Sequence, residues 1–267
     1  MSEALTILLS TFNGEAYLPE QLGSFVAQSF VNWRLLWRDD GSSDGSVALM
    51  RKFSASIGPE RCSELSDSGI HYGAARSFLR LLGASSEAAM VAFADQDDVW
   101  LPDKLLNAVK QIQALENMPV LYCARQFLVD KHLRGHRLSA LHSDKGFPAC
   151  LTQNIANGNT LVMNRRAAAL VTMAVAPEVS LHDWWSYIVV SACGGRVIFD
   201  PEPQVLYRLH GNNMIGREQP FLKRAMNALR RGPFIFMTMM RRHAGALEGI
   251  KLSLPPEVVA DLTKVQA

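Results

Sequence analysis

The stretch AFADQDDVWLPDKL, residues 92–105, sets Asp95, Asp97 and Asp98 within four positions directly after a short apolar run. Like charges this close repel unless something positive sits among them. One acid, Asp98 or Asp103, has an ordinary explanation as the cap of a helix starting near Pro102. Capping does not account for three, so the cluster is read first as a cation site.

Two further polar clusters could cooperate with it. RDDGSSDG (38–45) is built of residues that turns demand. Its carboxylates could instead accept hydrogen bonds from the imide N–H of a pyrimidine and from ribose hydroxyls. STFNG (10–14) offers Ser10, Thr11 and Asn13 as polar partners and Phe12 as a stacking surface. The first half holds no GxGxxG and no GxxxxGK[ST], so a diphosphate bound there would need a metal to neutralise it. HDWW (182–185), by itself, reads as an N-cap aspartate on a helix with two core tryptophans.

The elements that must position these residues alternate. LTILLS (5–10), WRLLWR (33–38), RCSEL (61–65) and AMVAFA (89–94) are strand-like. Helical stretches follow each: Leu18 to Gln28, Asp44 to Ser56 with Ser43 as N-cap, Gly73 to Leu82, and Pro102 to Leu115. Such alternation predicts a parallel sheet covered on both faces, with ligands at the carboxyl ends of the strands. All three polar clusters follow strands, so they converge on one rim. From PVLYCARQFLVD (119–130) the pattern is less regular: a basic loop KHLRGHRLSALHSDK (131–145), NGNTLVMNRR (157–166), a helix from His182 to Cys193, and strands at 196–200 and near 207–213.

The chain has 267 residues, 48% hydrophobic and 19% charged, with a net charge of +2. That is ordinary for a globular protein and gives no reason to expect nucleic acid as partner. The four cysteines, Cys62, Cys123, Cys150 and Cys193, form no CxxC pair and fit a reducing cytoplasm. The N-terminal apolar stretch is too short for a secretory signal, and no run is long enough to span a bilayer.

STFNGEAYLPEQLGSFVAQSF, RDDGSSDGS, FADQDDVWLPDKL, NGNTLVMNR, HDWW and YRLHGNN occur in this order. Each is weak alone; together, over roughly residues 4–216, the chain resembles a family 2 glycosyltransferase of GT-A fold. The DQDDVW form is most similar to bacterial rhamnosyltransferase-like enzymes of surface polysaccharide assembly. The resemblance implies a Rossmann-like, mostly parallel sheet flanked by helices, with a C-terminal helical extension. It divides the chain into a nucleotide-sugar half (1–116), an acceptor half (117–216) and a basic amphipathic tail (217–267). Phe12, where many members carry Tyr, and Gln96, at the middle of the acidic motif, are departures that leave the metal ligand intact.

Carried over by residue, the resemblance implies that Asp97 binds Mg²⁺ or Mn²⁺, with His210 as a further ligand. Asp95 lies near the donor ribose or the metal's water shell. Ser10, Thr11, Phe12, Asn13 and Asp40 hold the base and ribose of a dTDP- or UDP-sugar, and Asp44 braces their loop. Arg76 stands near the diphosphate. Asp183 is the catalytic base of an inverting transfer, taking the proton from the acceptor hydroxyl, and Trp184 walls the acceptor, a glycan or lipid-linked sugar.

Two other readings fit parts of the sequence. DQDDV also fits the nucleophile motif of haloacid-dehalogenase-like phosphatases, with Asp95 as nucleophile and Asp97 as general acid, although three strand-like units precede it and no downstream Lys and acidic pair follows. A non-catalytic nucleotide-sugar-binding module would need no Asp183. Beyond Arg217 the chain interleaves basic with apolar residues, and it is expected either to dock on an anionic membrane surface or to pack as two helices broken at Gly232–Pro233. The first option makes the protein cytoplasmic and peripheral on the inner face of the cell membrane.

Overall fold

The computed structural model describes residues 4–210 and 237–266. Strand β1 (Leu5–Thr11) buries Leu5, Ile7, Leu8 and Leu9, an apolar run covered on both faces. Helix α1 (Leu18–Val26) leads to β2 (Trp33–Asp39), α2 (Ser46–Ile57) to β3 (Cys62–Glu64), and α3 (Ala74–Gly83) to β4 (Met90–Ala94). These four strands pair in parallel in the order β3-β2-β1-β4. The alternation read from the sequence therefore becomes three crossovers. Strand carboxyl ends, and the polar loops after β1, β2 and β4, lie on the same side.

After β4 come β5 (Val99–Trp100), α4 (Lys104–Gln113), β6 (Val120–Val129), β7 (Arg137–Leu138), β8 (Val162–Asn164), α5 (Arg165–Met173), α6 (His182–Ala192) and β9 (Arg196–Arg208). Strand β8 runs antiparallel to both β4 and β6 and joins the two halves into one sheet. Strand β9 is parallel to β6 and antiparallel to β5. The sequence suggested strands at 196–200 and 207–213; residues 196–208 are one strand, and 211–213 lie outside the described residues. Pro203 sits at a register shift against Arg125, where a missing N–H costs the ladder little.

Side chains sort by strand parity. Leu8, Val91 and Phe93 join one core with Phe78 of α3 and Trp185 and Ile188 of α6. Leu5, Ile7, Leu9, Ala92 and Ala94 join the other with Phe25 of α1, Met50 of α2 and Leu105 of α4. Each buried leucine or phenylalanine contributes roughly 1.5–3 kcal/mol, so both helical layers are held firmly on the sheet. A helix over residues 237–247 (α7) and α8 (Pro256–Gln266) add Ala244, Leu247, Val258 and Leu262 to the first core. This part of the tail packs on the domain; the remainder expected to meet membrane, 217–236, lies outside the described residues. No described helix is long and apolar enough to cross a membrane.

Helix starts differ from expectation where side chains found other partners. Helix α2 begins at Ser46 with Gly45 as N-cap, because Ser43 is held by Asn13 instead. Helix α4 begins at Lys104, and the carboxylate of its N-cap, Asp103, accepts the Ser29 hydroxyl at 2.7 Å rather than a helix N–H.

Candidate active site

The three acids after β4 separate into different environments. Asp98 is fully buried: it accepts the Arg208 backbone N–H at 3.0 Å and the Asn159 amide at 2.6 Å. Burial, with the charges of Asp97 and Asp95, pushes its carboxyl well above the usual range. Asp98 is thus a joint between the acid loop, β9 and the turn before β8. Buried Lys104 lies beyond it, its ammonium 3.4 Å from the Trp100 ring centroid.

Asp97 is more open, and its Oδ2 lies 2.8 Å from His210 Nε2. Burial raises the Asp95 carboxyl to about 8, with the charges of Asp97 and Asp183 adding to it. Asp95, Asp97 and Asp183, placed 88 positions apart in the sequence at the extremes, therefore share one electrostatic neighbourhood.

Arg208 fixes this end of the site. Its buried guanidinium donates from Nε to the Asp97 carbonyl at 2.8 Å, from Nη1 to the Lys131 carbonyl at 2.6 Å, and from Nη2 to Glu20 on α1. A buried guanidinium is tolerable only with its donors engaged, which is the case here. The Tyr17 ring lies under that guanidinium, 4.6 Å away, and stacks on the His210 ring at 4.8 Å with 28° between the planes.

The loop after β1 is fastened on both sides. Gln96 accepts the Phe12 N–H and donates to the Phe12 carbonyl, each at 2.8 Å. Gly14 makes room, since a Cβ there would lie 2.2 Å from Gln96 Oε1. Asn13, at φ 47°, accepts the Ser43 N–H, and its own N–H reaches the Ser42 hydroxyl. Asp44 accepts the N–H groups of Glu15 and Ser46, bracing the loop as expected. Thr11 is buried and donates to Asp39, while Ser10 is half-buried. Phe12 stands 44% exposed, 5.0 Å from the His71 ring.

Asp40, expected to face a donor, is turned inward instead. It receives Arg38, Ser77 and the N–H groups of Tyr72 and Gly73, with His71 Nδ1 at 2.9 Å. The buried Arg38 needs a counter-charge, and Asp40 supplies it. Asp40 therefore shapes the loop that carries His71. Arg76 is exposed on the rim and pairs with exposed Glu178 at 2.7 Å.

Asp183 lies in the first turn of α6, where Leu181 is the N-cap. Its Oδ2 accepts the Gly158 N–H at 3.1 Å, and its Oδ1 accepts the Trp184 N–H at 2.6 Å. Burial pushes its carboxyl up to about 6, against hydrogen bonds from Trp184, Gly158 and Asn154. Gly158 must be glycine for this approach: a Cβ would sit 2.9 Å from His182 Nε2, and His182 is packed between Phe78 and Phe93. Trp184 is half-buried, its Nε1 donating to the Cys150 carbonyl at 2.8 Å and its ring 5.1 Å from His243 of α7.

Asp97 and His210 are a donor set compatible with Mg²⁺ or Mn²⁺. No cluster of three or more candidate ligand residues exists among the described residues. Any such ion would complete its shell with water and substrate phosphates, which is how hard cations sit on diphosphates.

Against this geometry, the sequence profile of Glycosyl transferase family 2 matches residues 6–170, from β1 into α5. The chain belongs to glycosyl transferase family 2. Among its family 2 relatives is the dTDP-rhamnosyl transferase RfbG of Shigella flexneri, 26% identical over 226 residues, which span 80% of this chain and 75% of the relative. A shorter stretch of 101 residues, 38% of each chain, is 31% identical to the UDP-Glc:alpha-D-GlcNAc-diphosphoundecaprenol beta-1,3-glucosyltransferase WfgD of Escherichia coli. The fold is similar to S. aureus TarS 1-349 in complex with UDP-GlcNAc, with a TM-score of 0.65 and 17% identity over 99% of this chain and 70% of that one. It is also similar to the mannosyltransferase PcManGT from Pyrobaculum calidifontis in complex with GDP-Man and Mn2+, with a TM-score of 0.59 and 16% identity over 99% and 79%. The family 2 chain has the GT-A fold and is a glycosyltransferase, which replaces the phosphatase and binding-module readings.

Several residues of this site carried no assigned role in the sequence. Gln96, Tyr17, His71, Gly158 and His243 act by locking other groups in place, and their partners are tens to more than a hundred residues away. The available signals were local: a glycine between two asparagines at 157–159, and an amide where acids surround it.

Proposed function

We propose that this chain is an inverting, metal-dependent transferase moving a sugar from a dTDP- or UDP-sugar to a glycan or lipid-linked acceptor. What supports the reading is that the Asp95 carboxyl, at the end of β4, feels the charges of both Asp97 and Asp183, which lies far along the chain. Phe12 and His71 form the exposed aromatic edge on which the base stacks. Asp97 and His210 would hold a divalent ion, and Asp95 would lie beside the ribose. A bound Mg²⁺ or Mn²⁺ offsets the charge of the departing nucleoside diphosphate. Asp183 accepts the proton of the acceptor hydroxyl as its oxygen forms the new bond to the anomeric carbon and the bond to the diphosphate breaks. A carboxyl raised to about 6 is ionised at neutral pH yet basic enough for that step. Trp184 lies beside Asp183 as the acceptor wall, and Arg76 stands on the diphosphate rim. Rhamnose is the first donor sugar to try, given the relative named for it.

The test is release of nucleoside diphosphate from a panel of dTDP- and UDP-sugars with and without Mg²⁺ or Mn²⁺. Metal-dependent release that Asp97→Ala abolishes is expected. Release indifferent to both chelator and Asp97→Ala would sink the metal assignment, and no release from any donor would sink the reaction.

A further inference from the structure

The basic segment 131–145 takes no part in the chemistry above, yet it begins at the site. One guanidinium, that of Arg208, holds the carbonyls of both Lys131 and Asp97. The turn that opens the segment is tightly built. Asp130 N–H donates to the Arg134 carbonyl, Leu133 N–H donates back to Asp130, and Leu133 adopts φ 62°. The Asp130 carboxylate accepts the N–H groups of His132 and Arg134, so the nearest acid is engaged with backbone. Lys131, His132, Arg134 and His136 are all exposed, and among the described residues neither Lys131 nor Arg134 forms a salt bridge. The return strand exposes Leu138 (45%) and the following coil Leu141 (63%).

A rigid turn carrying exposed cations, hooked to the acid loop and followed by exposed leucines, fits a ligand with phosphate next to an alkyl chain. Resting on the glycosyltransfer reading, we propose that Lys131 and Arg134 bind the phosphate of an anionic, lipid-linked acceptor, with Leu138 and Leu141 meeting its chain. Lysine and arginine are suited to phosphate oxygens, and cations at a rim strengthen with falling salt. The arm sets the acceptor's anionic end against β7 while its sugar hydroxyl reaches toward Asp183.

The experiment titrates decyl diphosphate, below its micelle concentration, into the full chain saturated with Mn²⁺ and UDP or dTDP, with neutral decyl glucoside as control. Decyl diphosphate is expected to bind more tightly than decyl glucoside and to weaken with salt. Lys131→Ala/Arg134→Ala should weaken it by roughly tenfold or more, with nucleotide binding and melting unchanged, and Lys131→Arg/Arg134→Lys should keep it. Equal binding by parent and alanine variant overturns the proposal. So does a loss confined to phosphatidylglycerol vesicles, which would make the arm a membrane contact. Failure of both nucleotides to bind, read in the same titration, would instead overturn the glycosyltransfer reading itself.

Discussion

The side-chain amide of Gln96 is hydrogen-bonded to both backbone polar atoms of Phe12, at 2.8 Å each way. The acid loop and the loop expected to carry the base therefore share one registration. Gln96→Glu keeps an acceptor for the Phe12 N–H but cannot donate to its carbonyl, and it adds charge beside Asp95 and Asp97. Affinity for UDP or dTDP should fall roughly tenfold, the scale of one hydrogen bond lost with a new repulsion. Calorimetric titration of parent and variant checks this; equal dissociation constants would leave Gln96 without a positioning role.

Asp183→Asn keeps the shape and much of the hydrogen bonding of the carboxylate but accepts no proton at neutral pH. Turnover should drop by roughly 10²–10⁴, the usual scale for a lost general base, with donor affinity close to parent. In the parent, the carboxyl titrates at about 6. Below that pH it is protonated and idle, so kcat should rise with pH through about 6 and then level. A flat profile between pH 5 and 7, or near-parental turnover in the variant, would remove Asp183 from the role.

Gly158→Ala places a methyl 2.9 Å from His182 Nε2, on a ring already in contact with Phe78 and Phe93. Overpacking of this kind costs about 1–3 kcal/mol, measurable by urea unfolding. Because the same N–H holds Asp183, turnover should fall further than stability explains at a temperature where the variant is fully folded. Parental stability would mean that the His182 ring yields.

His243 is buried against Trp184 and Trp185, its ring nitrogens have no hydrogen-bond partner among the described residues, and burial lowers its pKa to about 4. An unfolded histidine titrates near 6.5, so between about 6.5 and 4 the unfolded chain binds the extra proton. The stability contributed by the neutral ring is complete above that window and lost as pH falls through it. His243→Leu should therefore lose less melting temperature than the parent between pH 7 and pH 5. Identical losses would show that the ring stays accessible to water.

The parallel half of the sheet was legible because each buried strand was a short apolar run followed by an amphipathic helix. Asp97, His210 and Asp183 were legible only through the ordered set of motifs, since alone an aspartate at a helix start reads as a cap and a lone histidine as structural. Asp40, expected at the donor, was needed by the buried Arg38, and Asp98, read as a possible helix cap, takes the Arg208 N–H instead. Arg38 and the Arg208 N–H lie near or far in sequence, and local pattern cannot tell an inward carboxylate from an outward one. The antiparallel insertion of β8 was likewise hidden, since three residues carry no period of their own.

Arg208 and Asp98 are separated by 110 positions, yet their contact completes the acid loop. Chains emerge from the ribosome N-terminal end first, and domains fold as their parts arrive. The nucleotide half can collapse early on its own crossovers, but Asp97 and Asp98 stay without these anchors until the last strand of the sheet has been made. A chain cut before β9 would keep the parallel crossovers but lack the Arg208 contacts that hold Asp97 and Asp98 in place.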